Sequence, residues 1–159
     1  MHAVMQHLNF RVCTHPDSIK EDIKRICDAG LITKEQQAIV DADRIYRFFA
    51  TSLGKKLITG QVLREFKFSI LDDAQTYYAN VTNEKILLQG VVDCALIEQT
   101  GLTVLDFKTD YITEANLEAK IREYRAQVSI YGKALARIYE RPVTGSYIYF
   151  FSSEQLVKV

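Results

Sequence analysis

The sequence predicts an α/β fold: a mixed β-sheet core flanked by helices, with an N-terminal helical segment ahead of it. Three patterns lead there. Apolar residues recur at helical spacing through about residue 60, and from Val62 the period drops to two. A long amphipathic stripe (Leu117, Ile121, Tyr124, Val128, Tyr131, Leu135, Ile138) then separates a pair of apolar runs from a last apolar run. A hairpin, a crossover helix and a returning strand make a mixed sheet with a helix packed on it.

Each element has its own signal. Residues 1–9 read as a helix with Val4, Met5 and Leu8 inward. A second helix runs from Asp17 or Ser18 to Ala29 on Ile19, Ile23 and Ile26, and Gly30 suits its C-terminal cap. Thr33 and Gln36 form a capping box for a third helix, carried through Ile39, Tyr46 and Phe49 to about Leu53, where Gly54 ends it. Residues 55–60 add one short turn. Val62 to Ile70 alternates as a strand, with Val62, Arg64, Phe66, Phe68 and Ile70 on one side and Leu63, Glu65, Lys67 and Ser69 on the other. Leu71 to Ala74 reads as a turn and Gln75 to Val81 as a further strand. Ile86 to Ile97 and Leu102 to Lys108 form a hairpin across the turn Glu98–Gly101. A helix from about Glu114 to Tyr139 is stopped by Arg141-Pro142, Ser146 to Phe151 is a strand, and Gln155 to Val159 a short terminal one.

At 159 residues the chain is one domain, residues 1–159, with a helical part of about 1–60 and an αβ core of about 61–159. Apolar residues make up 48%, enough for a full core. Twenty basic residues balance twenty acidic ones, which disfavours a free-standing, non-specific nucleic-acid binder. Cys13, Cys27 and Cys94 are too few and too scattered for a disulfide framework or a CxxC metal site, and suit reduced thiols in a cytoplasmic protein. No run reaches the roughly 20 apolar residues of a membrane span, so no membrane partner is expected. No GxxxxGK[ST] occurs, so no ATP site is expected. Met1 to Leu8 already reads as helix with no cap before it, as in a piece of a longer protein.

The chemistry concentrates in the hairpin. If it closes symmetrically, Ile97 pairs with Leu102, Ala95 with Val104, and Asp93 with Asp106. Lys108 lies two residues past Asp106, on the same strand face. Two carboxylates then oppose each other in apolar strands, with an ammonium alongside. Like charges across a ladder destabilise it, and a buried unpaired carboxylate costs more. A divalent cation between them offsets that cost, and carboxylate oxygens suit magnesium or manganese. Acid, then acid-x-Lys on the next strand, is the core arrangement of a large class of magnesium-dependent nucleases. Two surface aspartates near a turn are the plain alternative, but Val91, Val92, Cys94 and Ala95 around Asp93, and Val104, Leu105 and Phe107 around Asp106, leave no polar outer face. The alternative for Lys108 is a salt bridge to Asp106, which is compatible with catalysis.

Other residues are weaker on their own. His2 near a terminus reads as an exposed residue, and His7 and His15 have no chemical context. Gln127 shares a helix face with Tyr124 and Tyr131. These are core tyrosines with a flanking glutamine, or a face turned to the active site, where Gln127 reaches a phosphate or bound water and Tyr131 does the same or stacks on a base. Glu65 is either a supporting group of the site or a solvated strand glutamate.

Taken together, the chain resembles the C-terminal nuclease domain of the AddA (RexA) subunit of bacterial ATP-dependent helicase–nucleases, in the RecB-like branch of the PD-(D/E)xK superfamily. The matching segments are Met1 to Leu8, Arg64-Glu65-Phe66, Gln89 to Cys94, Leu105-Asp106-Phe107-Lys108-Thr109-Asp110 and Tyr124-x-x-Gln127-x-x-x-Tyr131. The resemblance implies a restriction-endonuclease-like fold. It implies a Mg²⁺ site, with Mn²⁺ able to substitute, held by His2, Asp93, Asp106 and the Phe107 carbonyl. Lys108 matches the catalytic lysine, and Gln127 and Tyr131 the motif lining the site. Two departures stand out: the family's Gly-Thr ahead of the histidine is not seen, and Phe107 stands where tyrosine is common. The implied activity is cleavage of single-stranded DNA, the 3′-ended strand, during double-strand break processing in the bacterial cytoplasm. The implied partners are the protein's own N-terminal helicase domains and an AddB/RexB-type partner, which would deliver the strand to a neutral domain. The competing hypothesis is a non-catalytic DNA-binding or subunit-docking module with a degenerate site.

Overall fold

The computed structural model describes all 159 residues. Six helices and five strands follow one another as α1 (His2–His7), α2 (Pro16–Asp28), α3 (Lys34–Ile39), α4 (Ala42–Ala50), α5 (Ser52–Thr59), β1 (Gln61–Asp73), β2 (Lys85–Glu98), β3 (Gly101–Lys108), α6 (Leu117–Tyr139), β4 (Val143–Phe150) and β5 (Gln155–Lys158). The strands form one sheet in the order β1-β2-β3-β4-β5. All neighbours are antiparallel except β3 and β4, which run parallel because α6 carries the chain back between them. The predicted mixed sheet is therefore observed. Helices cover both of its faces. On one, α1, α2, α4 and α5 pack Val4, Met5, Ile19, Ile45, Phe48 and Leu57 onto Cys94, Leu96, Leu105, Phe107 and Tyr149. On the other, α6 packs Ile121, Val128, Tyr131 and Leu135 onto Ala95, Leu102, Val104, Ile148 and Phe150. That double cover explains why β3 shows no polar face: Leu102 to Phe107 are all buried.

The third predicted helix is corrected. It breaks into α3, α4 and α5 because Asp41 and Thr51 cap new helices inside the apolar stripe. Asp41 Oδ1 accepts from the amides of Asp43 (2.9 Å) and Arg44 (3.1 Å), and Thr51 Oγ1 from that of Gly54 (3.0 Å). Gly54 does not end a helix; it lies within α5, where a Cβ would sit 2.2 Å from the Phe48 carbonyl oxygen, so only glycine lets α5 approach α4. The strand expected at Gln75–Val81 is absent. β1 runs through the expected turn to Asp73, and a single 3₁₀ turn at Ala74–Thr76 follows.

The strict alternation expected for β1 is also corrected. Val62 packs on the helical face, whereas Phe66, Phe68 and Ile70 pack on the α6 face. β2 switches in the same way between Val92 (α6 face) and Cys94 (helical face). The switch falls at Glu65 and Asp93, the one pair missing from an otherwise continuous register (Arg64↔Cys94, Phe66↔Val92). Glu65 has φ +48°, in the left-handed region that side-chain-bearing residues seldom adopt. A ladder interrupted by such a residue bends and re-aims its side chains.

Candidate active site

The hairpin closes in the expected register, with Ala95 opposite Val104 and Ile97 opposite Leu102. Its regular pairing stops at Cys94↔Leu105, so the expected pairing of Asp93 with Asp106 is corrected: the two are not ladder partners. One residue beyond, the Asp93 side chain takes over: its Oδ2 accepts the Phe107 amide at 2.9 Å. Asp93 is thereby locked against the backbone of β3, one residue from Asp106. Asp106 stands on the central strand, on the α6 face, 1% exposed. Lys108, two residues on, places Nζ 2.8 Å from Asp106 Oδ2. Even so, neither Asp106 oxygen accepts a hydrogen bond of good geometry, and both are shut from solvent. Burial pushes the Asp106 carboxyl up to about 6, and Asp93 adds to the rise while Lys108 opposes it.

His2, at the first turn of α1, brings Nε2 to 3.4 Å from Asp93 Oδ2. That contact raises the imidazole above its ordinary value, with the nearby Phe107 carbonyl adding to it. Gln127 and Tyr131 turn to the same place. Gln127 Oε1 accepts from Lys108 Nζ at 3.0 Å, and its amide nitrogen donates to the Tyr131 hydroxyl. Lys108 also sits 4.3 Å from the centre of the Tyr124 ring, a cation–π contact. Gly90 makes room for this face: a Cβ there would lie 2.8 Å from the Phe68 ring and 3.4 Å from Tyr131. Glu65 is close enough to Asp93 to feel its charge, and burial with that charge raises its carboxyl.

The structure thus brings His2, Asp93, Asp106, Phe107, Lys108, Gln127 and Tyr131 into one cluster. His15 instead caps the start of α2, accepting from the Asp17 amide, and His7 lies near Glu65 rather than among these groups. Two features escaped sequence reasoning. The Tyr124 ring lies under the lysine, which only the helix-face spacing hinted at. Arg64 reaches α1 across the fold, which no local pattern signals.

The donors test well against a hard divalent cation in chemistry: two carboxylates, an imidazole and a backbone carbonyl. The buried Asp106 carboxylate has Lys108 beside one oxygen and nothing on the other, and such a cation would satisfy what is left over. No three His, Cys, Asp or Glu side chains converge into a preformed cage. The groups stand instead as two pairs, His2 with Asp93 and Asp106 with Lys108, joined through Asp93 and the Phe107 amide.

A mixed sheet with helices on both faces and an aspartate–lysine pair on its central strand defines an α/β protein with a charged, partly buried acid–base cluster. Known proteins then narrow the class. Curated relatives described as the A-type subunit of an ATP-dependent helicase/nuclease align over this whole chain. That of Oceanobacillus iheyensis is 36% identical over 167 residues, covering 100% of the chain. That of Syntrophomonas wolfei is 33% identical over 161 residues, again covering 100%, and that of Thermoanaerobacter pseudethanolicus 36% over 163 residues, covering 99%. The chain spans 13% of the length of each. It is homologous throughout to one segment of these helicase/nuclease proteins. No family model matches it. The solved structure of SSO0001 overlaps 95% of the chain at a TM-score of 0.44 and 10% identity, too remote to bear on function.

Proposed function

We propose that this chain is the nuclease domain of an AddA-type ATP-dependent helicase–nuclease. In this reading it is a single restriction-endonuclease-like PD-(D/E)xK domain that hydrolyses single-stranded DNA, with Mg²⁺ as cofactor and Mn²⁺ able to replace it. It acts in recombinational repair in the bacterial cytoplasm, on the 3′-ended strand delivered by the protein's helicase domains and an AddB/RexB-type partner. Homology along the whole of this chain, to 13% of each relative, supports the setting. The observation that carries the activity is the buried Asp106 carboxylate, without a good hydrogen bond and 2.8 Å from Lys108.

His2, Asp93, Asp106 and the Phe107 carbonyl would hold the cation, which when bound supplies Lewis acidity toward a phosphate oxygen and toward a water. The rest belongs to the chain. Hydrolysis adds water across one P–O bond, leaving a phosphate on one strand end and a hydroxyl on the other. Negative charge builds on the phosphate oxygens as it proceeds. Lys108 is the one ammonium bonded into the cluster, and in this reading it offsets that charge. Gln127 and the Tyr124 ring hold Lys108 in place, so its side chain loses little freedom when it acts. Tyr131, bonded to Gln127 and packed edge-on to Phe68 at 5.9 Å, fixes Gln127 in turn.

The test is cleavage of an end-labelled single-stranded oligonucleotide by the 159-residue chain with MgCl₂ or MnCl₂, against a chelator control. Asp106→Ala is expected to lower the rate by about a hundred- to a thousandfold with native circular dichroism, because the cation that supports the developing charge loses its buried ligand. Full activity in that variant would end the proposal.

A further inference from the structure

We propose that Arg64 is a positioning residue of the site: it seats α1 so that His2 stands against Asp93. This rests on the reading of His2 as a cation ligand. α1 has only six residues and no side-chain cap at its start, and a helix that short is not stable by itself. Val4 and Met5, with Leu8 just past its end, bury its inner face and fix the helix to the core, and polar contacts add to that hold. Those contacts come at its C-terminal end, whose last carbonyls lack helical partners. Arg64 Nη1 donates to the Leu8 carbonyl and, at 3.4 Å, to that of Met5. Its guanidinium lies 4.8 Å from the centre of the Phe10 ring. Arg25 takes the His7 carbonyl at 3.2 Å, and is itself held by the buried Asp22 at 2.6 Å.

Arg64 is placed to transmit position because of where it sits on β1. It pairs with Cys94, next to Asp93, and precedes Glu65 at the bend. The strand pair that carries Asp93 therefore also carries the group that grips the helix bearing His2. One guanidinium nitrogen shared between two carbonyls, with the group over the Phe10 ring, sets direction as well as distance, of which a lysine's rotating ammonium keeps only part. Supporting residues of this kind change metal affinity about 10- to 100-fold.

The experiment measures Mn²⁺ affinity by isothermal titration in a cycle of Arg64→Met, His2→Ala and the double variant, with amide hydrogen exchange followed in each metal-free protein. Arg64→Met keeps the aliphatic stem and removes the donors. It is expected to weaken Mn²⁺ binding about tenfold, with Arg64→Lys recovering part of the loss. Amides of α1 should exchange faster than in the parent. With His2 already removed, Arg64→Met should cause no further loss. An equal loss in both backgrounds, or none in either, would overturn the inference while leaving the proposed function intact. Unchanged Mn²⁺ binding in His2→Ala would instead overturn the role of His2, and the inference with it. If Arg64→Met does not fold, the same cycle with Arg64→Lys decides: coupling to His2 supports the inference and additivity overturns it.

Discussion

Asp106 carries a charge in a place that water does not reach, and the balance of forces on it is legible from the cluster. Desolvation and the Asp93 carboxylate disfavour its ionised form, Lys108 favours it, and the first two win, since the carboxyl rises to about 6. A carboxyl whose folded value lies above its unfolded one destabilises the fold while ionised. The metal-free protein is therefore expected to gain stability at pH 7.5 on Asp106→Asn, on the order of 1 kcal/mol or a few degrees in Tm. Added Mn²⁺ should raise the Tm of the parent and not of the variant, because only the parent offers the full donor set. Differential scanning calorimetry with and without Mn²⁺ measures both; a metal-free Asp106→Asn protein several degrees less stable would mean that the Lys108 ion pair dominates. The Asp93–Asp106–Lys108 group could be read in advance because three charges in unbroken apolar runs demand a partner. His2 was legible only through family resemblance, since a histidine near a terminus has no local signature. Arg64 was not legible as a tether, since its partner carbonyls are 56 and 59 residues away.

At the scale of elements, the hairpin and α6 position everything that matters. Their registers were readable because a tight turn and a long stripe are local patterns. The breaks at Asp41 and Thr51 were harder to see, as the apolar stripe runs on through both caps and favours one long helix. The bend at Glu65 and Asp93 has no sequence signature, since it depends on a backbone angle that glutamate seldom takes. Beyond the bend, the β1–β2 ribbon extends under α6 and is pinned to it by Asp72. The Asp72 carboxylate accepts from the Tyr77 hydroxyl at 2.7 Å, Lys133 Nζ at 3.1 Å and the Asp73 amide at 3.0 Å, and these hold it down at about 2. A depressed folded value means stability that is present above the ordinary 3.8 and lost as pH falls through about 2. Asp72→Asn should therefore flatten the fall of Tm between pH 4 and pH 2, relative to the parent. Parallel acid limbs for the two proteins would show that this pin contributes nothing.

For the whole molecule, the charge balance and the cover of the sheet bear on how it works. Twenty acidic and twenty basic residues leave no net field to draw in a polyanion, so strand delivery falls to other parts of the longer protein in the proposed reading. Helices on both faces leave His2 the exposed member of the cluster, with Asp93 and Lys108 mostly covered and Asp106 fully so. The mixed α/β class and the cluster's strand residues were readable from the chain; the element order was readable only in part, since one expected helix is three and the strand expected at 75–81 is absent. The three-layer packing that joins α1 to α6 through the sheet was not readable, because it depends on contacts between distant segments. If this cluster binds a divalent cation through Asp106, isothermal titration of the metal-free 159-residue chain with MnCl₂ will read it out. Saturable binding that weakens at least about a hundredfold in Asp106→Ala is expected. Equal Mn²⁺ binding by parent and variant, or none by the parent, would contradict it.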